Sequence, residues 1–394
     1  MNTPDSQRGV ALLIATIVLL TGSALFLVNE YHAGRQDSRL QSMLSAKQAL
    51  IAFAVNYADN YGHNTRGGTG RLPCPSLERH GSPARSCSEN AIGYLPSVWL
   101  RDNRLMEIDY LERFFDQNIW YAVSADHRYN PAFNSLNSYP DTGLLSVDSM
   151  QEVVAVLISP GLALEDQSRA NASNRLPSAV IREYLEGDNA DMDSEFTLSS
   201  ENDLVVLIRR QELLPLMERR VLGFVKQWLI EYKSEHGFYP YAAIPGSDGQ
   251  CVPGLSSGFI ATESALCDDE VLLDIEFSNL PDGRSLRNTW FGRYEWAGLV
   301  YYVVDETCTA ERGRVDCDGV DDPPRELQVN GEPAEVVLIS VGEPIETIPA
   351  AGMQSRIDSD LAQYLDTDEL LSAVNEFFIP RSSALSNDQL VTIN

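Results

Sequence analysis

Apolar residues along this chain fall into three patterns. The first is an unbroken run, VALLIATIVLLTGSALFLV from Val10 to Val28, with no charged residue. As a helix rising about 1.5 Å per residue, it just spans a bilayer core roughly 30 Å thick. The second is a stripe at helical spacing through Leu40, Met43, Leu44, Leu50, Ile51, Ala54, Tyr57, Ala58 and Tyr61, interrupted at Lys47 and closed by Gly62 and Gly67-Gly68. The spacing predicts one helix from about residue 10 to 61, apolar all round in its first half and amphipathic in its second. Two helices with a joint near Gly34 fit the same periodicity. The third pattern is a set of short β-branched and aromatic runs bounded by turn residues: Ile119–Val123, Val153–Ile158, Leu299–Val304 and Val336–Ser340. Asp203–Ile208 and Gln389–Ile393 read as closing strands, and Leu213–His236 as a second amphipathic helix. The fold class this predicts is α+β, with a long helix laid on an antiparallel sheet.

The pattern is written twice, at an offset of roughly 175–185 residues. Phe53–Tyr57 with Gly62 matches Trp228–Tyr232 with Gly237, Cys74 matches Cys251, and Cys87 matches Cys267. Arg113-Phe114 matches Arg293-Tyr294, Trp120–Val123 matches Val300–Val303, and Leu145–Val147 matches Leu327–Val329. Leu157–Gly161 matches Leu338–Gly342, Tyr184–Glu186 matches Tyr364–Asp366, and Asn202-Asp203 with Val205-Val206 matches Asn387-Asp388 with Leu390-Val391. Matches in one order at a nearly constant offset indicate a duplication, with the second helix equivalent to the first minus its apolar half. The expected division is a leader over 1–9, a membrane segment over 10–28, and two tandem domains over 29–208 and 209–394.

Composition sharpens this reading. A chain of 394 residues that is 44% hydrophobic, with 26 Gly and 20 Pro, excludes collagen-like and disordered classes. The net charge of −28 argues against nucleic acid or an anionic membrane surface as the main partner. Ahead of the apolar run stands the leader MNTPDSQRG, whose only basic residue is Arg8. Read as a signal peptide, the run exceeds the usual span of about 7–15 apolar residues, and Thr21-Gly22-Ser23-Ala24 is a weak cleavage site. Read as a signal anchor, it places Arg8 in the cytoplasm.

The tract Gln7-Arg8-Gly9-Val10-Ala11-Leu12-Leu13-Ile14 resembles the class III signal of type IV pilins and type II secretion pseudopilins. The resemblance implies cleavage by prepilin peptidase between Gly9 and Val10 and methylation of Val10. It departs from the family pattern in having Val10 at mature position one and Ile14 at mature position five, where the family has Phe and Glu. That Glu pairs with a neighbouring subunit's N-terminal amine, so its lack fits a subunit at a filament tip; a carboxylate left unpaired in lipid is costly. The run Ala46-Lys47-Gln48-Ala49-Leu50-Ile51-Ala52-Phe53-Ala54, followed by Gly70-Arg71-Leu72-Pro73-Cys74-Pro75, resembles large pseudopilin-like proteins of Gram-negative bacteria. The implied protein is a minor pilin or pseudopilin-like subunit held in the inner membrane with a periplasmic body. Its partners would be prepilin peptidase and, through the N-terminal helix, other pilins; it would not be an enzyme.

Six cysteines lie in three close pairs: Cys74 and Cys87, Cys251 and Cys267, Cys308 and Cys317. Six allow about fifteen connectivities, and the repeat favours local pairing. Closing a loop of about 15 residues contributes roughly 3 kcal/mol in the chain-entropy account, and such pairing points to an oxidising compartment. Zinc fits poorly, since there is no C-x-x-C and no nearby His pair. The acidic loop offers Asp316, Asp318, Asp321 and Asp322 around Gly319 as candidate calcium ligands, without the distal Glu of an EF-hand. A solvated acidic turn is the plainer reading; Asp268-Asp269-Glu270 is a weaker candidate. Gly254-Leu255-Ser256-Ser257-Gly258 fits G-x-S-x-G without the strand and helix that motif needs on either side. The rival to a filament subunit is a pilus-borne or membrane-anchored ligand-binding protein, which a concave acidic or aromatic pocket around Trp296, Tyr301 and Tyr302 would support.

Overall fold

A computed structural model describes residues 38–56, 69–79, 81–84, 87, 92–101, 104–107, 118–128, 144–169, 176–200, 202–244, 249–262, 286, 289–293, 296–309, 317, 326–342, 344, 346–347, 352–353, 361, 364–365, 376–377 and 388–394. The apolar run at 10–28, Gly9, Val10, Ile14, the helix end at 57–62, Cys267 and the four aspartates of the acidic loop lie outside these residues. Among the described residues no helix is long and apolar enough to cross a membrane.

The protein is α+β and dominated by antiparallel pairing. A first helix, α1, covers residues 38–56. Strands β1 (Ile92–Tyr94), β4 (Trp120–Val123), β5 (Leu145–Val147), β6 (Met150–Ser159), β7 (Glu195–Phe196) and β8 (Leu204–Arg209) form the first sheet. Strands β2 (Val98–Arg101) and β3 (Arg104–Glu107) make a separate hairpin. A four-residue helix, α2 (Pro177–Val180), opens the segment that covers the outer face of this sheet. The long helix α3 (Arg210–His236) follows β8 directly. A second sheet contains β9 (Ser257–Phe259), β10 (Val300–Val304), β13 (Val336–Ser340) and β17 (Gln389–Ile393). Strands β11 (Gln328–Val329), β12 (Glu332–Pro333) and β16 (Glu376–Phe377) form a small third one, and β14 (Glu346–Thr347) pairs with β15 (Gly352–Met353).

The two halves share one hydrogen-bonding plan. The first runs β1-β4-β6-β8 and the second β9-β10-β13-β17, antiparallel throughout. The ancillary strands agree as well: β5 pairs in parallel with β7 through Val147 and Phe196, and β11 with β16 through Val329 and Phe377. At the following turn Asp148 N–H donates to Phe196 O, and Asn330 N–H to Phe377 O. Both turn residues take positive φ, 54° at Asp148 and 52° at Asn330. Asn330-Gly331 is the combination a tight hairpin turn prefers, because both positions need φ > 0.

The register corrects two of the residue matches. Trp120 pairs with Ile158 and Tyr301 with Ile339, so Trp120 corresponds to Tyr301 and Tyr121 to Tyr302. The match of Trp120 to Val300 is off by one, which in a strand reverses every face. With the corrected register the two buried tyrosines do the same thing: Tyr121 Oη donates to Pro73 O at 3.0 Å and Tyr302 Oη to Pro240 O at 2.9 Å. The Cys74–Cys251 match also shifts. Ser76 bridges Pro83 and Tyr94, and Ala243 bridges Cys251 and Phe259; Cys251 therefore stands at the place of Pro83. Gly237, at φ 82°, ends α3 with its N–H on Lys233 O at 2.7 Å. Gly70, at φ 95° with its N–H on Ala54 O at 2.8 Å, stands two residues before Leu72 as Gly237 stands two before Tyr239. The left-handed position at the end of α3 suits glycine.

One core runs through both halves. Met43, Ala46, Ala49, Leu50, Phe53 and Ala54 of α1 bury one face, with three alanines allowing close approach. Leu213, Met217, Val221, Leu222, Val225, Trp228 and Leu229 of α3 join the same cluster, together with Tyr121, Leu157 and Ile208 of the first sheet and Val300, Leu338 and Ile339 of the second. The break at Lys47 is an ion pair: its Nζ lies 2.5 Å from Glu212 of α3. Arg39 donates to Ser159 O at 2.7 Å and ties α1 to the end of β6. A second cluster lies on the outer face of the first sheet, where Trp120, Ala122, Val156 and Ile158 meet Val180, Ile181, Tyr184, Leu185 and Phe196.

Candidate functional site

The cysteines organise the local chain. Cys74 is bonded to Cys87 with Cα atoms 5.7 Å apart, and Cys308 to Cys317 with Cα atoms 4.8 Å apart. Cys251 is also disulfide-bonded; Cys267, its neighbour in sequence, is outside the described residues. The candidate calcium ligands Asp316, Asp318, Asp321 and Asp322 are outside them too, but the root of their loop is on view.

That root is a buried polar knot. Strand β10 stops at Val304, and Asp305 opens the next helical turn, Glu306–Cys308. Asp305 Oδ1 accepts from Thr307 N–H at 3.0 Å and from the Thr307 hydroxyl at 2.6 Å. Its Oδ2 accepts from Leu327 N–H at 2.9 Å. One carboxylate thus holds the residues on either side of the 309–326 loop. A charged acceptor carrying several donors is the usual condition for burying a carboxylate. Behind it, Glu335 precedes β13 and is 5% exposed. Its Oε2 accepts from Tyr239 Oη at 2.6 Å and lies 2.7 Å from Lys233 Nζ. Lys233 comes from the last turn of α3, and Tyr239 from the residues just past its Gly237 cap. The Lys233 ammonium also sits 5.5 Å from the centre of the Tyr239 ring. The Cys308 and Cys317 sulfurs and a Glu335 oxygen all lie within 4.8 Å of one another.

The first half fills the same positions differently. Ser124 N–H bonds Val154 O as Asp305 N–H bonds Glu335 O, and Leu72 N–H reaches His127 O as Tyr239 N–H reaches Cys308 O. So Ser124, His127 and Val154 stand where the second half has Asp305, Cys308 and Glu335. Ser124 Oγ and His127 Nδ1 are 3.1 Å apart and both residues are fully buried. Burial, with the Arg71 and Arg210 charges nearby, holds the His127 ring well below the usual histidine range, hence neutral.

A second polar cluster fastens the segment covering the first sheet. Asp203 Oδ2 accepts from Glu186 N–H at 3.2 Å and from Asn189 Nδ2 at 3.4 Å. Burial pushes the Asp203 carboxyl up to about 6, against hydrogen bonds to Glu186 and Asn189 that pull it down. Arg169 donates to Gly161 O at 2.6 Å, Glu183 O at 3.2 Å and Tyr184 O at 3.2 Å. In the second half Asp388 accepts from Gly342 N–H at 3.0 Å.

A concave pocket around Trp296, Tyr301 and Tyr302 would favour the ligand-binding alternative. These residues are 1%, 7% and 1% exposed, and all belong to the common core. Ser256 stands between the turn closed by Leu255 N–H on Val252 O and strand β9, not between a strand and a helix as G-x-S-x-G chemistry needs. Sequence reasoning missed Glu335, Tyr239, Lys233 and Asp305. The available signals were slight: single acidic residues at the end of one apolar run and the start of another, and one of only three lysines.

The fold and this site define an α+β protein with two helix-bearing sheets, a shared core and a disulfide-closed loop. Comparison with protein-family models, curated proteins and solved structures returned no match.

Proposed function

We propose that the chain is a minor pilin or pseudopilin-like subunit, anchored by residues 10–28 after cleavage behind Gly9 and acting in the assembly, tip or surface function of a filament or secretion machine. The observation that carries this reading is the tract Gln7–Ile14 at the head of a charge-free apolar run. An amphipathic helix at 38–56, on the same chain and packed against an antiparallel sheet, supports it. So do the disulfides, which suit a body in an oxidising compartment. On this reading the globular part caps or decorates, the apolar helix packs on other subunits, and no residue of the chain performs catalysis. Trp296, Tyr301 and Tyr302, around which a ligand-binding alternative would need a pocket, are buried in the common core.

The test is the N-terminus of the protein purified from its own cells, by intact mass and N-terminal peptide mapping. The expected species begins at a methylated Val10. Retention of Met1, or a start beyond residue 20, would overturn the proposal.

A further inference from the structure

The knot at the loop root assembles two sulfurs and a carboxylate. Cys308 is fully buried and Cys317 is 2% exposed; with Glu335, their ligand atoms lie within 4.8 Å of one another. The Glu335 carboxylate is oriented through Oε2 by Tyr239 Oη and Lys233 Nζ. Outer hydrogen bonds of this kind aim a metal-binding carboxylate. We propose that, with the Cys308–Cys317 bond reduced, the two sulfurs and Glu335 bind a divalent thiophilic cation of the zinc type, so that the site alternates between a disulfide and a metal dithiolate.

Charge balance permits both states and disfavours a metal-free dithiolate. Oxidised, the site holds a neutral disulfide and the Glu335–Lys233 pair. Reduced and metallated, two thiolates and a carboxylate carry three negative charges, matched by a divalent cation and the Lys233 ammonium. A bare dithiolate would leave two uncompensated charges in a buried place, which is costly, so without a metal the reduced pair stays as two neutral thiols until the cation displaces their protons. The first half is an internal control. It keeps the same strand order with His127 and Val154 at the positions of Cys308 and Glu335, so the trio is not a requirement of the fold. Zinc accepts thiolate and carboxylate ligands together and leaves room for a fourth.

The exchange balances with a dithiol as reductant. The dithiol gives two electrons and becomes its own disulfide, the Cys308–Cys317 bond breaks, and the cation displaces the two thiol protons to solvent.

The test uses the full chain, reduced and kept without oxygen. Zn²⁺ is added, and alkylation of each cysteine is timed by peptide mass spectrometry. The expected result is slowing of at least about tenfold at Cys308 and Cys317, with Cys74 and Cys87 unchanged. In parallel, Co²⁺ should give thiolate-to-metal absorption at one equivalent. Glu335→Gln should weaken Co²⁺ binding by more than the roughly 10- to 100-fold that loss of an outer-shell partner costs. Equal protection of all cysteines, protection of none, or unchanged affinity in Glu335→Gln overturns the proposal. The alkylation map needs no variant and stands even if Glu335→Gln fails to fold.

Discussion

At the residue scale, Asp203 and His127 are buried titratable groups that push stability in opposite directions with pH. The Asp203 carboxyl titrates at about 6 in the folded protein against an ordinary 3.8. The folded state therefore prefers the protonated form, and the stability this group contributes is present below pH 3.8 and lost as pH rises through 6. His127 is depressed, so its contribution is present above the ordinary histidine value and lost as pH falls. A comparison of Asp203→Asn with the parent isolates the first effect. The melting temperature of the variant relative to the parent should become steadily more favourable between pH 4 and pH 7. A difference that stays flat across that range would disprove the assignment. Neither residue was visible as special in sequence, because a carboxylate in an Asn-Asp pair looks the same whether it faces water or Glu186 N–H.

At the element scale, the strands were the most legible part of the chain. Runs such as Val336–Ser340 are β-branched, apolar and bounded by turns, and each forms a strand, with its expected bounds at Val336–Ser340 and Gln389–Ile393 and a wider span at Met150–Ser159. Register was not legible. Trp120–Val123 and Val300–Val303 align by residue type, whereas hydrogen bonding shifts them by one, because only the partner strand distinguishes the two faces. The corrected register yields a prediction. Tyr121→Phe and Tyr302→Phe each leave a proline carbonyl without its buried donor, at Pro73 and Pro240. Each should cost about 1–3 kcal/mol in urea unfolding, with closely similar values for the two. A loss at one position only would show that the two sites are not equivalent. Glycines mark the same correspondence. A Cβ on Gly93 would meet Ser76 O at 2.5 Å, and one on Gly258 would meet Ala243 O at 2.3 Å, so the edge loop presses on both sheets at the same point.

At the scale of the whole molecule, α3 belongs to both halves. Its residues from Leu213 to Leu229 pack in one cluster with Leu157 of the first sheet and Leu338 of the second. Two sheets sharing a helix should unfold together. Leu222→Ala removes a fully buried side chain from that helix and should cost about 2–5 kcal/mol. Amide exchange in β6 and in β13 should accelerate by a common factor. If β13 loses protection while β6 keeps it, the halves are independent units and the shared core is not cooperative.

What the sequence by itself determined is local: the apolar run at 10–28, the amphipathic helices, the six principal strands, the duplicated order and the closely spaced cysteines. Each is written in periodicity or composition within a few residues, where backbone geometry dictates the pattern. What only the tertiary structure decided is which positions meet. The knot of Asp305, Glu335, Tyr239 and Lys233 draws on a strand end, the residue before another strand, a helix terminus and the turn beyond it. No short-range rule brings those four together. They converge because the sheet register and the end of α3 fix their places, and a buried carboxylate is tolerated only where donors from distant segments arrive at once.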